Sequence, residues 1–248
     1  MKKTLITLLM LAGIVCGADY SFETTFADGA YDANNGANYY GIAFTFDSDS
    51  DRYTASGGYT GMEQTLYLTS ITLTVRYGQQ YSMPTDLSLI VTDSSGSVLG
   101  WAAGNTQKST NKGLIDGYTR TYATYKMADN ISVDTDATYY AYFSTADQLE
   151  QLIEDKGNGT LTLSSSNYAD YAKYGQALAV TRPLPEGTVP AYTNTETAEW
   201  NVLSGLGTLN HSNFAPVMSV SVTSIPEPTS TTLSLLTLAG LAARRRRK

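Results

Sequence analysis

The sequence predicts an all-β fold, an antiparallel β-sandwich with one short helix. Two observations point to it. Short segments of alternating polar and apolar residues recur along residues 19–224, with turn-forming residues between them. All 19 tyrosines also fall in this region, together with many threonines and few lysines. Tyrosine and threonine are favoured on half-buried sheet surfaces, so composition and periodicity agree.

The clearest alternation runs from Tyr40 to Phe46, and it predicts Tyr40, Ile42, Phe44 and Phe46 on one face of a strand. The final segment is similar and places Met218, Val220 and Val222 on one face. The predicted strands, in chain order, are 40–46, 71–77, 87–92, 98–102, 118–127, 131–133, 138–143, 160–164, 176–181 and 216–223.

A hairpin is predicted within residues 82–103, because the turn 93–97 (Asp-Ser-Ser-Gly-Ser) joins two strand patterns and the second ends in Leu99-Gly100-Trp101. This stretch resembles the jelly-roll, lectin-like domains of exported bacterial proteins. The resemblance implies a jelly-roll-like arrangement of the sandwich.

One helix is predicted after Thr145, which forms a Thr-x-x-Gln capping box with Gln148. Leu149, Leu152 and Ile153 form its apolar stripe, and Gly157 ends it. A helix of about three turns is expected to cover an open end of the sandwich. Residues 181–213 contain three prolines and little alternation, which predicts a long irregular connection, and residues 224–229 are expected to be a linker.

The C-terminal residues 225–248 form a separate segment of three parts. Pro226, Glu227 and Pro228 come first, an uncharged apolar run follows, and Arg244, Arg245, Arg246, Arg247 and Lys248 end the chain. The 15 residues of 229–243 would span roughly 22 Å as a helix, which is short for a bilayer core of about 30 Å. The terminal cations should remain cytoplasmic under the positive-inside rule.

This order resembles the PEP-CTERM sorting signal of Gram-negative exported proteins. The resemblance implies recognition of Pro226, Glu227 and Pro228 by an exosortase, a membrane-embedded processing enzyme. It also implies that Arg244 to Arg247 act as stop-transfer charges. The chain would then be held transiently in the inner membrane and passed on to the cell envelope or extracellular surface. An ordinary C-terminal anchor helix is the alternative.

Residues 1–18 are typical of a secretory signal peptide, with Lys2 and Lys3 before a short apolar run and small residues before Asp19. A lipoprotein with Cys16 as the lipidated residue is the alternative, although Val15 does not fit the preceding position. Cys16 is the single cysteine, so residues 19–224 can form no disulfide and contain no thiolate ligand.

Charge is distributed unevenly along the chain. Residues 19–224 carry nine basic and 22 acidic residues, a formal charge of −13, whereas the whole chain has −7. A body this acidic should repel nucleic-acid phosphates and anionic membranes. No nucleic-acid partner is therefore expected.

Asp47, Asp49 and Asp51 place three carboxylates at alternate positions and are a candidate Ca²⁺ site. Arg52 and Gly58 stand where an EF-hand loop would need glycine and an acid, so the site is not an EF-hand. The alternative is a solvated acidic loop. A Ca²⁺-dependent rise in Tm, lost in Asp49→Asn, would distinguish the two.

Aromatic rings stack on the apolar faces of sugar rings, so tyrosines and tryptophans outside the clearest strands, or at the ends of strands, are candidate carbohydrate contacts. Trp101, Tyr168, Tyr171 and Tyr174 are selected on this ground, and core or edge packing is the alternative for each.

No catalytic constellation is apparent. His211 is the single histidine, and no Gly-x-Ser-x-Gly motif is present. The sequence therefore predicts an exported, non-catalytic surface or matrix protein that binds polysaccharide or has a structural role, with no cofactor except possible Ca²⁺. A secreted glycoside hydrolase is the alternative, because that chemistry needs only two placed carboxylates. Turnover abolished by one Asp→Asn or Glu→Gln change would establish it.

Overall fold

The computed structural model describes residues 18–23, 31–32, 39–45, 64–75, 84–110, 120–134, 137–155, 163–170, 178–181, 201–204, 210–211 and 215–226. In chain order the described strands are β1 (Ala18–Glu23), β2 (Tyr31–Asp32), β3 (Tyr39–Thr45), β4 (Gln64–Val75), β5 (Ser88–Thr92), β6 (Val98–Ala102), β7 (Thr106–Thr110), β8 (Arg120–Val133), β9 (Thr138–Ser144), β10 (Ala179–Thr181), β11 (Asn201–Ser204), β12 (Asn210–His211), β13 (Ala215–Pro216) and β14 (Met218–Pro226). The helix α1 (Ala146–Asp155) follows β9.

The strands form two large sheets and one small sheet. The five-stranded sheet has the order β1-β14-β4-β8-β7, and the six-stranded sheet has the order β12-β11-β3-β9-β5-β6. A three-stranded sheet, β13-β10-β2, completes the described strands. Every pairing of these strands is antiparallel. The predicted antiparallel all-β fold with one short helix is confirmed.

One hydrophobic core joins the two large sheets. Its buried side chains come from both of them, including Leu66, Leu73 and Val220 from the five-stranded sheet and Phe44, Leu89 and Phe143 from the six-stranded sheet. The predicted inward face of Met218, Val220 and Val222 is confirmed, since all three are buried in this core. Face-to-face packing of this kind defines a β-sandwich.

A bulge in β4 changes which residues face the core. Leu66 and Leu68 are fully buried, but after Thr69 and Ser70 the buried positions become Ile71, Leu73 and Val75. The pairing of β4 with β8 shifts at this point, and the Thr69 hydroxyl donates a 3.0 Å hydrogen bond to the Ser221 carbonyl of β14. A bulge of this kind reverses the phase of alternation. The predicted strand 71–77 is therefore only the second half of β4.

Strand β8 contains the matching irregularity. Ser70 of β4 pairs with Lys126, but Leu68 pairs with Ile131, so the four residues 127–130 of β8 lie opposite the single residue Thr69. Ala128, Asp129 and Asn130 are exposed. The sequence predicts two strands separated by a turn at Asp129-Asn130. The structure has one strand with a large bulge there, because β4 continues alongside both halves.

The predicted hairpin is confirmed as β5 and β6. Its turn is held by Asp93, whose Oδ1 accepts hydrogen bonds from the Ser95 hydroxyl (2.6 Å), the Ser95 N–H (2.8 Å) and the Ser97 N–H (3.0 Å). These bonds, led by that of the Ser95 hydroxyl, lower the pKa of Asp93. Gly96 has φ of 85°, a conformation that favours glycine.

Several other elements differ from the prediction, beginning with β1 and β2, which lie before the first predicted strand. β7 was not predicted, because its sequence Thr-Gln-Lys-Ser-Thr is polar at every position. β11 and β12 lie within the predicted irregular connection 181–213. Leu163 and Ser164 belong to a loop, although a strand was predicted over 160–164.

The last strand also departs from its predicted bounds. β14 was expected to end at Thr223 and to be followed by a linker. It instead continues to Pro226, and Ile225 and Pro226 pair with Thr65 and Gln64 of β4.

A tight corner takes the chain from β6 in one sheet to β7 in the other. Gly104 lies in this corner with φ of 75°, and its N–H donates to the Ser88 hydroxyl at 3.0 Å. A Cβ at this position would lie 2.7 Å from the Thr85 carbonyl oxygen. Asn105 continues the contact, because its N–H donates to the same carbonyl at 2.8 Å.

Replacing Gly104 with alanine should destabilise the protein by about 1–3 kcal/mol, because the left-handed backbone and the contact with the Thr85 carbonyl both oppose a side chain. Thermal unfolding of Gly104→Ala measures the effect. The matched control is Ala103→Ser at the exposed neighbouring position, which should change stability by less than about 0.5 kcal/mol. Equal Tm values for the two variants would contradict the strain assigned to this corner.

Candidate functional site

The outer face of the six-stranded sheet is divided between helix α1 and a group of tyrosines. Leu149 and Leu152 of the helix pack on Ile90 of β5, with Trp101 of β6 beside them. The helix therefore covers part of a sheet face, and the prediction that it closes an end of the sandwich is wrong. Ile153, predicted in the apolar stripe, is 40% exposed.

Beside the helix lies a cluster that we call the tyrosine patch, formed by Tyr40, Tyr140, Tyr142 and Tyr168. The Tyr142 and Tyr168 rings are 5.1 Å apart between centroids with an angle of 35° between their planes. Tyr40 meets Tyr168 edge-on at 5.7 Å and 79°, and Tyr140 lies 6.5 Å from Tyr142. These are favourable geometries for aromatic pairs.

Two of the tyrosines are placed by the alternation of β9. Tyr139, Ala141 and Phe143 face the core, so Tyr140 and Tyr142 project from the outer face. Their partners across β3 are small: Ala43 pairs with Tyr140, and Gly41 pairs with Tyr142. A Cβ on Gly41 would collide with the backbone carbonyl of Ala141. Glycine is therefore required where β3 approaches β9 most closely.

Tyr40 reaches the patch because β3 is irregular at that residue. Strand β11 pairs Leu203 with Gly41 and Ser204 with Tyr39, which leaves Tyr40 without a register partner in β11. Tyr39 is buried in the main core, whereas Tyr40 contacts Tyr168 on the outer side. The predicted inward position of Tyr40 is thus wrong, and Tyr39 takes it. Bulges commonly re-aim a side chain in this way.

The loop 163–170 carries Tyr168 and is fixed to the sheet by hydrogen bonds. The Ser144 hydroxyl donates to the Asn167 carbonyl at 2.8 Å, and the Ala169 N–H donates to the Phe143 carbonyl at 2.8 Å. Asp170, which is 3% exposed, accepts a 3.2 Å hydrogen bond from the Tyr39 N–H. This hydrogen bond joins the end of the loop to the bulged part of β3, and it places Tyr168 beside Tyr40.

The helix cap also supports this loop. The Thr145 N–H donates to Gln148 Oε1 at 3.0 Å, and the Gln148 N–H donates to Thr145 Oγ1 at 3.2 Å. The predicted capping box is confirmed. Gln148 Nε2 then donates to the Tyr168 carbonyl at 3.2 Å. One side chain thus caps α1 and tethers the loop that carries Tyr168.

Burial raises the pKa of two phenols of the patch, Tyr142 and Tyr168. Desolvation, followed by the proximity of Tyr168 and Tyr140, raises the pKa of Tyr142 to about 12. Desolvation and then Tyr40 raise the pKa of Tyr168. A protonated phenol can both donate and accept hydrogen bonds, and the raised pKa extends this state of Tyr142 and Tyr168 further into the alkaline range. Tyr140 is 7% exposed and supports the others, while Tyr40, Tyr142 and Tyr168 are partly exposed.

The predicted site residues fall into several groups. Tyr168 lies in the tyrosine patch, and Trp101 lies on the same sheet face but packs with the helix cluster. Pro226 ends β14. The other predicted residues lie outside the described residues: Tyr171, Tyr174, Asp47, Asp49, Asp51, Glu227, Pro228 and Arg244 to Arg247.

Three members of the patch were not predicted as site residues: Tyr40, Tyr140 and Tyr142. The segment Tyr139-Tyr140-Ala141-Tyr142-Phe143 contains the signal that would have found two of them. Aromatic residues occupy both phases of the alternation, so one face of this strand must carry rings that the main core does not contain.

In the part of the chain that the structure describes, no three His, Cys, Asp or Glu side chains are grouped so that they could hold a metal ion. Within the same residues, no helix has the length and hydropathy needed to cross a membrane.

No protein-family model, curated protein or solved structure matches the chain. Its function is therefore inferred from its own residues.

Alkaline titration should reveal Tyr142 as a late-ionising tyrosine. The pKa of Tyr142 is raised from 10 to about 12, so between these pH values the folded protein keeps a phenol proton that the unfolded chain loses. The free energy of unfolding should therefore fall as pH rises through this range. The ultraviolet absorbance of phenolate measures the titration, and Tyr142→Phe should remove the component near pH 12. In denaturant the absorbance change near pH 12 should disappear, because Tyr142 is then exposed to water. If the folded Tyr142→Phe variant still shows this change, its assignment to Tyr142 is wrong.

Proposed function

We propose that the chain is an exported, non-catalytic surface protein whose β-sandwich binds polysaccharide through the tyrosine patch. The observation that carries the proposal is the group of three partly exposed tyrosine rings, two from the six-stranded sheet and one from the loop that is hydrogen-bonded to it. Aromatic faces stack on the apolar faces of pyranose rings, and neutral phenols exchange hydrogen bonds with sugar hydroxyls.

The rigidity of the patch supports a binding role. Tyr142 stands on a strand that is paired on both sides, and Tyr168 is held by the Gln148 amide and by its neighbours in the loop. Side chains fixed before binding lose little conformational entropy when a ligand arrives. A mobile aromatic cluster would lack this advantage.

The topology supports a jelly-roll-like sandwich. β3 and β9 pair in one sheet while β4 and β8 pair in the other, and the chain crosses between sheets from β3 to β4 and from β8 to β9. The two pairs therefore form a double ribbon that folds across the core. Such ribbons are typical of jelly rolls, a class that includes lectin domains.

Export and sorting by an exosortase belong to the same proposal. The C-terminal sequence Pro226-Glu227-Pro228, the apolar run and the Arg cluster are its main support. The described strands add to it, because β1 begins at Ala18 opposite Ser224 of β14. The proposed signal peptide and the proposed sorting signal would therefore join the sandwich at neighbouring strands and at the same edge. This arrangement is expected if both segments are first held in one membrane.

Loss of a patch ring should weaken polysaccharide binding. Tyr168→Ala and Tyr142→Ala should each reduce affinity roughly tenfold or more, because each removes a stacking surface near the centre of the patch. Affinity electrophoresis of residues 18–226, which keep β1 and β14 whole, in gels containing soluble polysaccharides measures the effect.

The matched control is Tyr122→Ala, which removes a partly exposed tyrosine from the five-stranded sheet and should leave affinity unchanged. If no polysaccharide retards the protein, or if Tyr122→Ala weakens binding equally, the proposed site is wrong. Release of reducing ends from a retained polysaccharide would favour a glycoside hydrolase.

Sorting can be tested separately in a bacterium that expresses an exosortase. Replacing Pro226, Glu227 and Pro228 with alanine should leave the full-length chain in the inner membrane, because the processing enzyme loses its recognition sequence. The control replaces Thr229, Ser230 and Thr231 with alanine. Fractionation and immunoblotting measure chain length and location. Normal processing of the first variant would contradict the proposal.

A further inference from the structure

We infer that the polysaccharide bound by the tyrosine patch carries no anionic groups, because every described charged side chain on the sheet and helix beside the patch is negative, while the described lysines lie on the other sheet. This inference rests on the proposed function and names the class of its ligand. The inference depends on the sign of the charged side chains that lie on the same sheet as the patch.

The cations lie on the sheet opposite the patch. Among residues whose side chains the structure describes, the lysines are Lys108 on β7 and Lys126 on β8, both exposed and both in the five-stranded sheet. Strand β8 is also paired with β4 and β7 only, so its outer face belongs to that sheet.

The patch shares its sheet face with acids. Helix α1 carries Asp147, Glu150, Glu154 and Asp155, all exposed, and no basic residue within its ten residues. Asp170 ends the loop that carries Tyr168, and Asp93 lies in the turn between β5 and β6. Within the described part of this sheet and its helix, every charged side chain is negative.

These acids are close enough to act on a ligand at the patch. Gln148 in the first turn of α1 donates directly to the Tyr168 carbonyl, so the helix begins at the edge of the patch. A ten-residue helix is about 15 Å long. The Debye length is about 30 Å at 0.01 M salt and about 10 Å at 0.1 M, so the helix carboxylates repel an anion there at low ionic strength.

The charge of the whole body acts in the same direction. Lys156 and Lys173 follow this surface in the sequence and lie outside the described residues. They are already included in the formal charge of −13 for residues 19–224. A polymer with a carboxylate or sulfate on many sugars would meet repulsion at each repeat, whereas a neutral polymer would meet none.

Matched polymers test this inference. Hydroxyethylcellulose and carboxymethylcellulose share one backbone, and dextran and dextran sulfate share another. With residues 18–226, which keep β1 and β14 whole, at about 0.01 M salt, the neutral member of at least one pair should bind, and its anionic partner should bind at least tenfold more weakly. Near 1 M salt, where the Debye length is about 3 Å, this difference should largely disappear.

Charge reversal gives a second readout. Glu150→Lys combined with Glu154→Lys should strengthen binding of the anionic polymer severalfold at low salt and leave the neutral polymer unchanged. The matched control is Asp19→Lys combined with Asp129→Lys, which reverses two exposed acids of the five-stranded sheet and changes net charge equally. Equal gains in both double variants would attribute the effect to net charge and overturn the assignment to this face.

The outcomes separate this inference from the proposed function. Equal binding of neutral and anionic partners at low salt would overturn the inference and leave polysaccharide binding intact. Failure of all four polymers to bind would contradict polysaccharide binding itself, and the inference with it.

Discussion

The rest of the structure depends on the alternation of β9 between two interfaces. This strand lies between β3 and β5, so hydrogen bonds fix its register on both sides. Tyr139, Ala141 and Phe143 enter the core, and Tyr140 and Tyr142 enter the patch. A slip of one residue would exchange these sets and place two phenols in the core. Core packing and the candidate site are therefore specified by one register.

The small residues of β3 are part of the same constraint. Gly41 and Ala43 face the two outward tyrosines across the ladder, and Gly41 has no space for a side chain. The bulge at Tyr40 then supplies a third ring from the next position along the strand. The close approach of β3 to β9 and the bulge in β3 together place Tyr40 near the tyrosines of β9, although these residues are about 100 positions apart in the sequence.

Local sequence signals predicted the local features well. The bounds of β6, the capping box of Thr145 and Gln148, and the inward face of β14 all follow from neighbouring residues. Alternation failed at the bulges, because a change of phase in β4 depends on its partners β8 and β14. β7 is polar throughout, and its pairing with β8 defines it as a strand.

The candidate site shows the same limit. The sequence predicts Tyr168 as a sugar contact because it lies outside the regular predicted strands, and its ring does lie in the patch. Its partners come from β3 and β9, and its position depends on contacts with Gln148 and Ser144, which are about 20 residues away. Long-range hydrogen bonds of this kind have no periodic signature, so the sequence could suggest one ring but not the group.

The two large sheets carry different features, and this division suits a protein that is first held at a membrane. β1 and β14, which lead to the two predicted membrane-directed ends, belong to the five-stranded sheet, as do Lys108 and Lys126. The six-stranded sheet carries the patch and the acidic helix. Under the proposed sorting, the five-stranded sheet is the one tethered near the membrane, and the tyrosine patch belongs to the other sheet. Because the proposed attachment and the proposed binding involve different sheets, removal of the tail should leave the register of β9, and hence the patch, unchanged.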